Sequence, residues 1–152
     1  MENRYDRFIQ GGQIMPVQAY VNFDKQCEEA VNFYSEVFET PVVELIRYGD
    51  MPNPDYPMDE EASNLLMHAE LEIEGDIVMF GDYYPGMEII VGNNISLTVV
   101  TDDPNKTRRY YELLKEGGTV EMELQETFWS PLYASIIDKF GIYWQFSTSK
   151  PA

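Results

Sequence analysis

The chain has few basic side chains for its size. Its 152 residues contain 10 Lys and Arg against 27 Asp and Glu, which gives a formal net charge of −17. A surface this acidic repels phosphate backbones, and a nucleic-acid-binding protein needs clustered Lys and Arg. Anionic membranes are repelled in the same way. Neither is an expected partner, whereas a neutral or cationic small molecule is tolerated electrostatically.

Cysteine and long apolar runs are also scarce. The single cysteine, Cys27, excludes an internal disulfide and favours a reducing compartment. Residues 1–18 lack the apolar segment of a signal peptide, and no apolar run approaches the ~20 residues that span a bilayer. These features predict a cytoplasmic protein. Because Glu28 and Glu29 follow Cys27 and carboxylates raise the pKa of a nearby thiol, no nucleophilic role is predicted for it.

The first half of the chain alternates between strand and helix patterns. Residues 17–23 (VQAYVNF) predict a half-buried strand, and Asp24 is placed to cap the helix that follows. Residues 42–48 (VVELIRY) predict a second strand, and the proline-rich stretch 49–64 predicts a loop. Residues 65–74 (LLMHAELEIE) and the following IVMFGD predict a hairpin around an EGD turn. The predicted order is β-α-β-β-β.

The second half repeats this order. Residues 94–101 (NISLTVVT) predict a strand, Asp103-Pro104 a helix start, and Gly117-Gly118 its end. The segments TVEMEL, LYASIID and IYWQF predict three further strands. The sequence therefore predicts an α+β fold with modules 15–83 and 93–148 inside one domain, 15–152. Residues 1–14 are predicted to be an N-terminal extension.

The strand patterns also predict where a ligand binds. Each module buries its apolar face against its own helix, and the opposite faces form one cupped, mixed eight-stranded sheet. The polar and aromatic residues of this concave face, with a loop that rims it, give the predicted ligand-binding cleft. Its members are Gln18, Tyr20, His68, Glu70, Ser96, Phe128, Trp129, Tyr143 and Gln145. Thr98 shares the same face.

Four segments of the sequence resemble a known family. They are YVNFDKQCEEAVNFYSEVF, MHAELEIEGDIVMFGD, GNNISLTVV and QETFWSPLYASIIDKFGIYWQF. They are similar to the PhnB-like branch of the vicinal oxygen chelate superfamily, which holds glyoxalases, extradiol dioxygenases and bleomycin-resistance proteins. The resemblance covers residues 15–146 and implies the cupped sheet and a homodimer. The family is also called 3-demethylubiquinone methyltransferase, but no strand here precedes a glycine-rich turn suited to S-adenosylmethionine.

The resemblance implies metal-ligand positions that this sequence fills poorly. Metal-using members place His, Glu or Gln on the first and fourth strands of each module. The residues here at those positions are Gln18, Asn94 or Ser96, Gln145, and one of Met79, Phe80 and Asp82. His68, the single histidine, lies one strand earlier beside Glu70, and the pair are the weak metal candidates. No metal or other cofactor is predicted with a full ligand set.

Three functions remain open from the sequence. The first is a small-molecule binder without a functional metal site, whose aromatic rings stack on a planar or cationic compound. The alternative is a metal-dependent lyase, isomerase or dioxygenase of the vicinal oxygen chelate type. The third is an interaction module with a cleft filled by its own side chains. Glu70 and Glu126 are the acids available for proton transfer, but no catalytic residue is assigned.

Overall fold

The computed structural model describes residues 9–10, 13–14 and 17–151. Strands β1 (Ile9–Gln10) and β2 (Gln13–Ile14) pair with each other in antiparallel fashion. The predicted extension, residues 1–14, otherwise lies outside the described residues. From Val17 onward the two modules follow in the predicted order.

The first module forms a four-stranded mixed sheet. It contains β3 (Tyr20–Phe23), α1 (Cys27–Val37), β4 (Val42–Arg47), β5 (Leu66–Ile73) and β6 (Asp76–Asp82). The strand order is β3-β6-β5-β4, with β3 parallel to β6 and the other pairs antiparallel. The β5–β6 hairpin turns at Glu74 and Gly75, which both have positive φ. That conformation matches the predicted EGD turn.

The second module repeats the first. It contains β7 (Leu97–Thr101), α3 (Pro104–Leu114), β8 (Thr119–Gln125), β9 (Tyr133–Ile137) and β10 (Tyr143–Thr148). Its strand order, β7-β10-β9-β8, again has a parallel pair followed by antiparallel pairs. The two β-α-β-β-β modules of an α+β fold are confirmed. Within the described residues their eight strands form two hydrogen-bonded sheets of four, not one continuous sheet of eight.

Both helices share one hydrophobic core. Tyr34 of α1 lies 5.6 Å from the ring of Phe80 in its own sheet and 5.3 Å from Trp144 in the other sheet. Phe38 packs at 4.9 Å against Tyr110 of α3. These side chains are almost fully buried. The two modules are therefore held together through their helix-covered faces, and the opposite sheet faces are left more open.

A buried carboxylate joins the modules inside this core. Asp138, only 3% exposed, follows β9 in the DKFG turn. Its Oδ1 accepts hydrogen bonds from the backbone N–H groups of Phe140 and Ile142, which closes the turn. Its Oδ2 accepts from the Tyr34 hydroxyl at 2.5 Å and from Trp144 Nε1 at 2.9 Å. One side chain thus fixes both the β9–β10 hairpin and the position of α1 against it.

The helix starts differ from the sequence prediction in one case. Asp103 caps α3 as predicted, accepting from the Asn105 N–H, and Pro104 is its first residue. Asp24 does not cap α1, because α1 begins only at Cys27 and Gln26 occupies the N-cap position. The Cys27 N–H instead donates to Asp82 at the end of β6, 55 residues away. A tertiary contact replaces the predicted local cap.

The predicted loop 49–64 contains short helical segments. A 3₁₀ turn covers Tyr48–Asp50, and α2 spans Glu60–Asn64 with Asp59 as its N-cap. In the described part of the chain, no helix has the length and apolar character needed to cross a membrane.

Asp138→Asn is expected to destabilise the fold strongly. The amide group that replaces one oxygen cannot accept the Tyr34 and Trp144 hydrogen bonds, and hydrogen bonds to a buried charge contribute about 1.5–3 kcal/mol each. We expect the free energy of unfolding to fall by about 2–4 kcal/mol in urea denaturation. Asp102→Asn, at an exposed aspartate of the same module, is the control and should change it by less than about 0.5 kcal/mol. Equal effects of the two variants would contradict this role of Asp138.

Candidate functional site

The main cavity lies where the first strands of the two modules approach each other. Its volume is about 760 Å³. The lining comes from residues 17–22 around β3, the connection 89–92 and 94–97 that leads into β7, residues 141–143 at the start of β10, and Tyr83. Both modules therefore contribute walls, and the segment between them forms one side.

Among the described residues, those that line the cavity include polar side chains but no charged ones. Its polar groups come from Gln18, Asn22, Asn94 and Ser96 and from tyrosine hydroxyls. The tyrosine rings are those of Tyr20, Tyr83 and Tyr143. Ile90 and Ile95 belong to the lining although they are 87% and 77% exposed. An apolar, aromatic surface with a few convergent polar groups is the usual composition of a small-molecule site.

A smaller, polar hollow of about 330 Å³ adjoins this cavity on the second sheet. It shares Ser96 and Tyr143 with the main cavity and adds Glu121, Tyr133 and Gln145. Gln145 is held at both ends of its amide: Oε1 accepts from the Tyr133 hydroxyl at 2.7 Å, and Nε2 donates to Ser96 Oγ at 2.7 Å. This side chain is therefore oriented by its neighbours before any ligand arrives.

The first sheet carries a different cluster on its polar face. Glu44 on β4 lies opposite Glu70 on β5 in the antiparallel pairing, and His68 is two residues before Glu70. His68 Nε2 lies 2.9 Å from Glu70 Oε1 and 3.9 Å from Glu44 Oε2. Its other nitrogen, Nδ1, lies 3.2 Å from the Tyr20 hydroxyl. The cluster thus meets the main cavity through Tyr20.

Gly81 makes room for this arrangement. A Cβ atom at Gly81 would lie 2.8 Å from both the Tyr20 hydroxyl and the Met67 carbonyl oxygen. Since β3 pairs with β6, only a residue without a side chain lets the Tyr20 ring fold over the neighbouring strand towards β5. The Tyr20 hydroxyl there donates to the Met67 carbonyl oxygen at 3.0 Å.

The structure distributes the sequence-predicted site residues over four places. Gln18, Tyr20, Ser96 and Tyr143 line the main cavity, while Gln145 lies in the adjoining hollow. His68 and Glu70 belong to the cluster on β5. Phe128 and Trp129 lie outside both linings: Phe128 is 87% exposed, and Trp129 packs edge-on against Tyr133 at 5.2 Å.

The metal-ligand positions implied by the resemblance do not fit a metal here. Both ends of the Gln145 amide are already bonded within the protein. Asp82 is 4% exposed and accepts from the backbone N–H groups of Cys27 and Leu66, so its oxygens serve the fold. Phe80 is a fully buried core residue. What remains at these positions are the neutral amides of Gln18 and Asn94, the Ser96 hydroxyl and the Met79 thioether, which are weak ligands for a divalent cation.

Sequence reasoning missed several members of these sites. Glu44 was hidden because the β4–β5 pairing shifts register between Val42 and Glu44, so a simple alternation count along β4 gives no sign of its partner. The connection 89–95 carries no periodic pattern, although its apolar content, IIV followed by Ile95, was the available signal. Tyr133 was assigned only to a strand.

This architecture defines a class of protein. Two β-α-β-β-β modules with helices on one face of each sheet are the fold of the glyoxalase/bleomycin resistance protein/dioxygenase family, and solved structures of that class match this chain. Those likenesses are distant and show the fold alone.

The family within this class follows from a sequence match. The family model described as 3-demethylubiquinone-9 3-methyltransferase matches residues 15–147, and the chain belongs to this family. The chain is 25% identical over 143 residues to Protein YjdN of Escherichia coli strain K12, covering 90% of this chain and 97% of that protein. A crystal structure of protein PA1353 from Pseudomonas aeruginosa matches at 26% identity and a TM-score of 0.76, over 89% and 99% of the chains.

A PhnB protein from Bacillus cereus shares the fold as well. Its structure matches at a TM-score of 0.71 and 23% identity, covering 89% of this chain and all of that one. The family resemblance inferred from the four sequence segments is therefore confirmed.

Cys27 is expected to be unreactive in the native protein. It is fully buried at the start of α1, and burial, with the nearby charges of Asp82 and Glu28, raises the pKa of its thiol well above the usual range. At pH 8 we expect Ellman's reagent to label it at least about 100-fold more slowly in the native state than in denaturant. A variant that adds the exposed Thr119→Cys is the control and should gain one fast-reacting thiol. Fast labelling of the unmodified chain would contradict the burial argument.

Proposed function

We propose that the protein binds a small organic molecule in the main cavity without using a metal there. The observation that carries this proposal is the uncharged lining of a cavity of about 760 Å³ in a chain whose formal net charge is −17. In a chain with 27 acidic residues, an uncharged surface of this size is what a site for an apolar or aromatic ligand requires.

The lining indicates the chemistry of the ligand. Three tyrosine rings offer stacking surfaces, and the amides of Gln18, Asn22 and Asn94 offer both donors and acceptors. A planar compound with a few hydrogen-bonding groups suits this surface. The acidic chain tolerates a neutral or cationic compound and disfavours an anion. The cavity volume lies within the range of sites for drug-sized molecules.

The other two functions are less well supported. A metal-dependent lyase, isomerase or dioxygenase needs ligands at the implied positions, and those positions hold amides, core residues or carboxylates bonded to backbone. An interaction module was expected to fill its cleft with its own side chains, whereas this cavity is open. Methyl transfer, which the family description names, finds no strand followed by a glycine-rich turn and a helix within residues 17–151 to support it. We therefore favour binding over catalysis.

We also propose that the protein is a cytoplasmic homodimer. The connection 89–95 exposes Ile90, Val91 and Ile95 beside the cavity, at 87%, 67% and 77%. Contiguous exposed apolar residues are typical of surfaces that contact another protein. A second copy that covers them would also enclose the cavity. The single buried cysteine is compatible with a reducing compartment.

A thermal-shift screen of aromatic metabolites and cationic antibiotics tests the binding proposal. We expect at least one compound to raise the melting temperature, and Tyr143→Ala to weaken its binding at least about tenfold, a loss of about 1.4 kcal/mol. Tyr56→Ala is the control, since Tyr56 is 70% exposed and outside the cavity lining. The proposal fails if no compound shifts the melting temperature, or if both variants lose affinity equally.

Light scattering coupled to size exclusion tests the dimer. The expected mass is about twice 17.6 kDa. Ile90→Asp should shift the equilibrium towards the monomer, because it places a charge in the exposed apolar surface. A strict monomer for the unmodified chain at all concentrations would refute the dimer.

A further inference from the structure

We propose that Glu44, His68 and Glu70 form a binding site for one divalent first-row transition cation, with Zn²⁺ as the probe of choice. The site lies on the polar face of the first sheet, outside the main cavity. It does not rest on the proposed ligand-binding function, and it uses none of the metal-ligand positions that the family resemblance implies.

The geometry brings three ligand types together. One ligand atom from each of Glu44, His68 and Glu70 lies within 4.8 Å of the other two. Two neighbouring strands hold them: Glu44 and Glu70 face each other across β4 and β5, and His68 is two residues from Glu70 on the same face. An imidazole with two carboxylates is a donor set that suits Zn²⁺ and its neighbours in the first transition row.

The hydrogen bonds around Tyr20 orient the His68 ring so that Nε2 faces the carboxylates. The Tyr20 hydroxyl donates to the Met67 carbonyl oxygen at 3.0 Å and lies 3.2 Å from His68 Nδ1. On the other side of the ring, Nε2 is hydrogen-bonded to Glu70 Oε1 at 2.9 Å. A metal ion that binds to Nε2 takes the place of the hydrogen in this bond. Histidine ligands to metals commonly have their second nitrogen oriented by a partner such as the Tyr20 hydroxyl.

This orientation places one imidazole nitrogen and two carboxylates around one point. His68 Nε2 lies 2.9 Å from Glu70 Oε1 and 3.9 Å from Glu44 Oε2. The Glu70 side chain is only 5% exposed, and a buried carboxylate needs hydrogen bonds or an opposite charge close by. In the metal-free protein the hydrogen bond with His68 contributes to this need. A divalent cation bound to Nε2 and to both carboxylates meets it with a larger charge.

The cluster remains accessible from one side. Glu44, whose side chain is 26% exposed, forms the outer edge, while the His68 and Glu70 side chains lie deeper. A cation can therefore enter past Glu44 and keep water in its remaining coordination positions. The net charge of −17 raises the local concentration of cations around the whole chain. The matched control below separates this general attraction from a built site.

His68 is the only histidine in the sequence, so its ring can be observed without ambiguity once any polyhistidine tag is removed. Its two ring nitrogens are followed in ¹H–¹⁵N correlation spectra at pH 7.5. Addition of one equivalent of Zn²⁺ should shift the Nε2 resonance to the range of a metal-bound nitrogen. Isothermal titration should give one site per chain. The proposal is overturned if saturating Zn²⁺ leaves the ring resonances unchanged, or if the titration detects no zinc binding.

Matched glutamine substitutions separate this site from general acidity. We expect Glu44→Gln and Glu70→Gln each to weaken Zn²⁺ binding at least about tenfold. Glu72→Gln removes the same charge from an exposed position on β5 and should change the affinity less than about twofold. Equal losses in Glu44→Gln and Glu72→Gln would overturn the proposal. Since Glu70→Gln affects a buried group, its near-ultraviolet circular dichroism is compared with that of the unmodified chain. If that spectrum changes, the Zn²⁺ affinity of Glu44→Gln, a variant at a partly exposed position, decides the test.

Discussion

The carboxylate of Asp138 is the interaction on which the arrangement of the two modules depends. It is buried between them and accepts hydrogen bonds from a helix side chain of the first module and from backbone and indole donors of the second. Buried charge is tolerated only when its hydrogen bonds are satisfied, so this contact enforces one relative position of α1 and the β9–β10 hairpin. The helix-covered faces of both sheets are thereby buried in the core. The opposite, more polar faces stay accessible to ligands.

Those polar faces have different chemistry, which separates two roles on one scaffold. Near the junction of β3 and β7, the lining is uncharged and rich in tyrosine, as an organic ligand requires. Further out on the first sheet, acidic side chains and the single imidazole converge, as a cation requires. Tyr20 contacts both places, because its ring lines the cavity while its hydroxyl orients His68. A ligand that moves Tyr20 would therefore act on the cluster as well.

Local patterns predicted most of the fold but only part of the candidate site. Strand alternation, the Asp103-Pro104 helix start and the EGD turn depend on neighbouring residues, so the sequence displays them directly. The cap of α1 by Asp82 and the link between Asp138 and Tyr34 join residues 55 and 104 positions apart, and no local pattern reveals them. Glu44 was missed for a related reason, since a register shift in β4 decides which side chain meets Glu70.

The central claim is that the main cavity receives an organic ligand without a metal. A crystal grown in excess Zn²⁺ and measured at the zinc absorption edge tests it most directly, because anomalous scattering locates every ordered zinc ion. The account predicts no peak beside Gln18, Ser96 or Gln145, and one peak among Glu44, His68 and Glu70. A strong peak in the cavity, coordinated by residues of the first strands and β10, would contradict it.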